Sequence, residues 1–123
     1  MKIEVSNGEI IDKLTIIRIK LERIKEEAKL INLRKEHHEL AEASVAIITE
    51  DNPLYIDLYN VNCELWDIED RIRDLERNKD FGSEFIKMAR AVYFTNDRRS
   101  EIKRSINLTT GSGLIEEKSY EKY

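Results

Sequence analysis

Two heptad-like seams of apolar residues constrain the fold of this 123-residue chain more than any other feature. In each seam, apolar side chains recur at alternating spacings of three and four residues, the pattern of a helix packed lengthwise against its neighbours. Only four glycines and one proline interrupt the chain, so the seams predict long helices. The seams are Ile10, Leu14, Ile17, Leu21, Ile24, Ala28 and Ile31, and then Leu54, Leu58, Val61, Leu65, Ile68, Ile72 and Leu75.

Capping signals set the expected ends of these helices. Ser6 and Glu9 have the spacing of a capping box, in which each residue satisfies the other's backbone N–H. Either Asp51 or Asn52 can cap a second helix, and Pro53 suits its first position, where the missing N–H costs nothing. We therefore expect one helix over about Gly8–Ile31 and another over about Pro53–Asn78, packed antiparallel at a shallow angle.

A third apolar seam begins near Ser83, but Thr95 and Arg99 occupy two of its positions. Either these polar groups are buried and paired, or the helix breaks there and a fourth helix follows. The expected fold is an all-α antiparallel bundle of three or four long helices in a single domain over residues 1–123. An extended C-terminal tail covers residues 111–123.

Composition excludes several classes of protein. Charged residues make up 37% of the chain, hydrophobic residues 41%, and the formal net charge is −4, so nucleic-acid binding is disfavoured. The single cysteine, Cys63, cannot form an intramolecular disulfide. No apolar run reaches the roughly 20 residues of a membrane span, and no signal-peptide core is visible. We therefore expect a cytoplasmic protein that binds neither a membrane nor nucleic acid.

A second apolar stripe lies beside the seam of the second helix. Tyr55, Tyr59 and Trp66 recur at i, i+4 and i+11, partly around the helix from the core. A small bundle has little surface to cover such a stripe, and a large exposed apolar patch is typical of an interface. The stripe therefore predicts a homodimer with these three residues at the contact. The alternative is that the loop before Pro53 and the C-terminal tail cover it.

Two pairs of acidic residues resemble the Mg²⁺-binding pattern of the all-α nucleoside-triphosphate pyrophosphohydrolases. Glu36 and Glu39 form one i, i+3 pair, and Glu64 and Asp67 form the other. Paired carboxylates of this kind supply the oxygen ligands that Mg²⁺ prefers. However, the seam around Leu65 directs Asp67 towards solvent, so this enzyme is the alternative interpretation.

Five stretches of sequence resemble a family of small uncharacterised bacterial and phage helical proteins that is catalogued as a domain of unknown function. The resemblance extends over nearly the whole chain and is weakest between residues 32 and 52. It implies a stand-alone cytoplasmic domain and no particular activity. The stretches are SxGExxDKLTI (6–16), LWxIEDxIR (65–73), DFG (80–82), VYxxNDxRxxIKxxIN (92–107) and EEKSY (116–120).

Polar residues stand inside these stretches where packing would favour apolar ones, as at Asp12 and in the segment around Asn96. Such residues form either a satisfied buried network or a ligand pocket between helices. We expect the tail to dock and close a polar pocket there, burying Leu114 and Ile115. Glu117 would pair with a base among Arg98, Arg99 and Lys103, while Tyr120 would reach a polar partner.

These features together predict a helical module that self-associates and binds a partner protein or a small anionic ligand. We expect neither catalysis nor a cofactor, and no bound metal. The candidate ligand-binding residues are Asp12, Lys13, Tyr93, Asn96, Asp97, Arg99, Lys103, Glu117 and Tyr120.

Overall fold

The computed structural model describes residues 1–119 and 121–123, and within them it contains four α-helices and no strand. The prediction of an all-α fold is therefore confirmed. None of these helices combines the length and the apolar character needed to cross a membrane. The helices are α1 (Asn7–Arg23), α2 (Glu27–Ser44), α3 (Pro53–Arg77) and α4 (Ser83–Thr109).

The core lies where the seams of α1 and α3 meet the C-terminal part of α4. Its fully buried members come from all three helices, and α2 and the following loop add partly buried side chains at its edge. Leu14, Leu58 and Val61 of this core belong to the predicted seams, whereas Ile11 and Tyr55 lie beside the seams on the same helices. The buried cluster is Ile11, Leu14, Tyr55, Leu58, Val61 and Ile106.

The predicted caps are present, with one difference. Asn52 caps α3 by accepting from the backbone N–H of Leu54 at 2.9 Å. Ser6 caps α1 by accepting from the backbone N–H of Glu9 at 3.1 Å. The Glu9 carboxylate, however, accepts from the Lys103 ammonium on α4, so the reciprocal half of the capping box is replaced by a tertiary contact.

The expected first long helix, residues 8–31, is wrong in length. The chain leaves the helix at Ile24, whose backbone is extended, and α2 then begins at Glu27. This break allows α2 to pack back along α1, which places Leu40 and Ala41 against the core. Neither Gly nor Pro stands at the break, so tertiary packing and not a local signal ends the helix.

The third seam forms one continuous helix, α4, through its two polar positions. Thr95 is 4% exposed, and Arg99 pairs with the buried Asp12 of α1. Of the two possibilities that the sequence left open, the break does not occur, and the helix continues with Thr95 buried and Arg99 paired. These groups lead directly to the candidate site.

Candidate ligand site between the fourth helix and the tail

A buried polar network joins α1, α3 and α4 beneath the site. Asp12 is 1% exposed and accepts from the Arg99 guanidinium through both carboxylate oxygens, with the Nε–Oδ1 contact at 2.9 Å. The Asn62 amide donates to Asp12 at 2.9 Å and to the Thr15 hydroxyl at 2.8 Å. The hydrogen bond to Asp12 is the main cause that raises the pKa of Arg99. A fully satisfied ionic network of this kind fixes Arg99 in one position.

The start of α1 approaches α4 closely because it contains a glycine. The Gly8 backbone N–H donates to the Asn107 side-chain oxygen at 2.6 Å. A Cβ added at Gly8 would lie 2.5 Å from the Lys103 carbonyl oxygen, so a side chain cannot fit without moving the backbone. The sequence analysis did not identify Gly8, Asn62 or Asn107 as residues that join the helices beneath the site. Only for Gly8 did the sequence contain an indication, namely its place in the SxGExxD stretch.

Lys103 lies next to this contact and connects α1, α4 and the tail. Its ammonium is 2.8 Å from Glu9 and 3.4 Å from Glu116, and its side chain is 13% exposed. Burial lowers the pKa of Lys103, but the hydrogen bond to Glu9 and the surrounding carboxylates raise the pKa by more. The ammonium therefore stays charged and stays in place.

The tail turns back on the bundle immediately after α4. Gly111 has a φ of +67°, a left-handed conformation that glycine adopts without strain. The Ser112 hydroxyl then accepts from the Asn7 backbone N–H at 3.0 Å, and the Ser6 hydroxyl donates to Glu116 at 2.8 Å. Ion pairs continue the contact outwards, from Arg104 to Glu117 at 2.8 Å and from Asp97 to Lys118 at 2.9 Å.

The expected details of tail docking need correction. Leu114 and Ile115 are 44% and 40% exposed, so apolar burial does not hold the tail. Glu117 pairs with Arg104, the residue that follows Lys103, and not with one of the three bases that we expected. Polar contacts replace apolar burial because the surface of α4 that faces the tail is itself charged. The predicted polar partner of Tyr120 lies outside what the structure describes, because residue 120 is not among the described residues.

The far end of the tail meets an aromatic cluster on α4. The Tyr123 ring centroid lies 5.1 Å from that of Tyr93 and 4.9 Å from that of Phe94. The Tyr123 hydroxyl donates to Asp97, and this bond is the main cause that raises the pKa of Tyr123 to about 12. The same bond, together with Lys118, lowers the pKa of Asp97.

Most of the predicted ligand residues meet in one open cavity of about 1150 Å³ between α4 and the tail. Asp12 lies beneath this cavity, where it orients Arg99, whereas the neighbouring Lys13 is exposed. Arg104 and Glu116 also line the cavity, although the sequence did not single them out as ligand-binding residues. The predicted residues that line it are Tyr93, Asn96, Asp97, Arg99, Lys103 and Glu117.

The aromatic stripe proposed as an interface is largely covered within the chain. Tyr55 is 2% exposed and belongs to the core. The Arg18 guanidinium lies 4.2 Å from the centroid of the Tyr59 ring, and that of Arg23 lies 5.7 Å from the centroid of the Trp66 ring. Arginine side chains therefore shield the part of the stripe that the core leaves open.

The two acidic pairs do not come together. Glu36 and Glu39 lie on α2, whose closest backbone neighbour is α1 and not α3. On α3, Glu64 pairs with Arg98 and Asp67 pairs with Arg23. Residues 1–119 and 121–123 contain no cluster of three or more His, Cys, Asp or Glu side chains that could hold a metal ion. The geometry thus gives the Mg²⁺-dependent alternative no support.

Comparison with known proteins places the chain in a family without assigning it an activity. No curated protein and no solved structure matches the chain. A family model described as "Family of unknown function (DUF6165)" matches residues 1–123, the whole chain. On this match, the chain belongs to the DUF6165 family.

Proposed function

We propose that this protein is a non-catalytic helical module that binds a small anionic ligand in the cavity between α4 and the tail. One observation carries the proposal. The cations Lys103 and Arg104 both line the cavity, and on that side their partners are the tail carboxylates Glu116 and Glu117. A phosphate or carboxylate from a ligand would take the place of these tail carboxylates.

The tail contacts are of a kind that a ligand can replace. The side chains of Arg104 and Glu117 are 46% and 72% exposed. Ion pairs so accessible to water contribute only about 0 to 1 kcal/mol each. Displacing the tail carboxylates therefore costs little, whereas Arg99 and Lys103 remain positioned by Asp12 and Glu9 underneath.

The shape of the site favours a small ligand over a protein partner. Small-molecule sites are concave and enclose roughly 300 to 1000 Å³, and the cavity here is somewhat larger than that range at about 1150 Å³. Flat protein interfaces instead centre on a buried apolar or aromatic patch. The centre of this surface is charged, which supports a small anion as the ligand.

Titration of the full chain with inorganic tripolyphosphate, followed by calorimetry, tests the proposal. We expect saturable binding that weakens as salt is added, because the contacts are between charges. Arg104→Gln should weaken binding several-fold. Glu117→Gln should strengthen it, since the competing tail carboxylate is removed.

Arg77→Gln is the matched control, because Arg77 is an exposed arginine at the end of α3 whose ion-pair partner, Asp74, lies on the same helix. This variant should bind as the wild type does. Absence of saturable binding, or equal loss in Arg77→Gln and Arg104→Gln, contradicts the proposal.

Self-association in the cytoplasm is a second proposal, favoured by apolar side chains exposed near the N-terminal end of α4. The side chains of Phe81 and Ile86 are 52% and 58% exposed. Apolar side chains that remain this exposed often lie at a contact with another protein, such as a second copy of the chain. We propose a homodimer that engages these residues or the half-covered Tyr59 and Trp66. Light scattering should report twice the chain mass, and a monomer at all concentrations tested contradicts it.

A further inference from the structure

We infer that the ligand is a nucleotide, a molecule that carries an aromatic base, sugar hydroxyls and phosphate in that order. This inference rests on the proposed function and names the ligand class of the same cavity. The inference follows from the order of side chains along one face of α4. Aromatic rings come first, then a carboxylate, and then two cations.

The residues that line the cavity share one face of α4. Tyr93, Asp97, Ser100, Lys103 and Arg104 recur at spacings of three and four residues or lie side by side, so they project from the same side of the helix. Ten residues separate Tyr93 from Lys103, a rise of about 15 Å at 1.5 Å per residue. An extended nucleoside di- or triphosphate has a comparable span between its base and its terminal phosphate.

The aromatic end can accept a nucleobase. Tyr93 and Phe94 are 43% and 44% exposed, and Tyr123 of the tail packs edge-on against both rings. A planar base stacks on such rings regardless of its identity, because every base has a π-face. A base would therefore displace the Tyr123 ring and stack face-on against a ring that Tyr123 now contacts edge-on.

The middle of the face can accept a sugar. The Asp97 carboxylate accepts from the Tyr123 hydroxyl, and Asn96 and Ser100 line the cavity beside it. An acidic side chain is the group that dinucleotide-binding proteins use to accept from ribose hydroxyls. Asp97 lies between the rings and the cations along α4, where the sugar of a bound nucleotide would lie.

The tail itself supplies the same three chemical groups in the same three places. Tyr123 places a ring on the aromatic cluster and a hydroxyl on Asp97, while Glu116 and Glu117 place carboxylates on Lys103 and Arg104. The docked tail thus imitates a nucleotide, and each of its contacts marks a position for one part of the ligand.

The test compares adenosine and uridine triphosphate with inorganic tripolyphosphate on the full chain without added Mg²⁺. Both nucleotides should bind about tenfold more tightly than tripolyphosphate, because stacking on an aromatic side chain is worth that factor. Tyr93→Leu should bring the ratio of nucleotide affinity to tripolyphosphate affinity down to about one, because both ligands compete with the same tail and only the nucleotide loses a stacking partner. Phe85→Leu, which changes an aromatic residue of α4 outside the cavity, should change neither affinity.

Saturation-transfer NMR provides a second readout that does not depend on a variant. Saturating the Tyr93 and Phe94 ring protons should transfer magnetisation to the base protons of the nucleotide. If tripolyphosphate binds as tightly as the nucleotides and no transfer is seen, the nucleotide inference is overturned and the anion site stands. If none of the three ligands binds, both proposals fail.

Discussion

Two regions attach to α4 by polar contacts, the start of α1 and the C-terminal tail, and they differ in how much water reaches them. The pair between Asp12 and Arg99 has side chains 1% and 29% exposed, whereas the pair between Glu117 and Arg104 has side chains 72% and 46% exposed. The chemistry is the same carboxylate and guanidinium in both. Burial alone separates the contact that we expect to hold the fold from the contact that we propose a ligand replaces.

The physical reason is the cost of leaving a charge unpaired. In the buried pair, removal of one partner strands the other in a medium that solvates it poorly. In the exposed pair, water solvates the remaining charge, so the loss of its partner costs little free energy. We therefore expect the α1 contact to govern stability and the tail contact to govern binding.

Asp12→Ala should give the largest effect. The variant leaves Arg99 and Asn62 without their shared partner, so we expect a loss of about 3 to 5 kcal/mol in the free energy of unfolding. Chemical denaturation followed by circular dichroism measures it. Asp67→Ala, which removes an exposed partner of Arg23, is the control and should cost at most about 1 kcal/mol. Equal losses in the two variants would remove the distinction between buried and exposed pairs.

Gly8→Ala should have the next largest effect. The added methyl group meets the Lys103 carbonyl oxygen at 2.5 Å, and forcing α1 away from α4 should cost about 1 to 3 kcal/mol. Gly113→Ala in the tail meets only the flexible end of the Glu4 side chain, at 3.2 Å, and should stay within about 0.5 kcal/mol of wild type. Equal free energies of unfolding for the two variants would mean that α1 and α4 are not in close contact at Gly8.

Glu117→Gln should change stability least. Its loss should be below about 1 kcal/mol and should vanish in high salt, because screening removes exposed charge pairs first. Hydrogen exchange should accelerate in the tail amides alone. Acceleration across α1 as well would indicate that the tail supports the fold, contrary to the comparison.

The pH dependence of the tail is the most local prediction. Hydrogen bonding to Asp97 raises the pKa of Tyr123 to about 12, so this contact is fully present below the ordinary tyrosine value of 10.0 and is lost as the pH rises through 12. The pKa of Asp97 is lowered from 3.8, so its contribution is present above 3.8 and is lost as the pH falls further. NMR titration of the Tyr123 ring should show the raised value, and Asp97→Asn should return it to about 10. A value near 10 in the wild type would exclude the bond.

The sequence predicted the elements that obey local rules. The α3 seam and its Asn52 cap were correct because spacing and capping act within a few residues. The end of α1 at Arg23 was not predictable in this way, since neither Gly nor Pro stands there and the packing of α2 decides it. The polar residues of the cavity could be selected from their places in apolar seams, but the pairing of Glu117 with Arg104 depends on how the tail turns at Gly111.

Hydrogen exchange of the tail in the presence of tripolyphosphate tests the central claim most directly, namely that the tail carboxylates occupy an anion site. The full chain is compared with and without the ligand, and the amides of α1 around Asp12 serve as the internal reference. We expect the amides of residues 114–119 to exchange faster once the ligand binds, while those of α1 stay protected. Bound ligand with unchanged or increased protection of residues 114–119 would contradict the account.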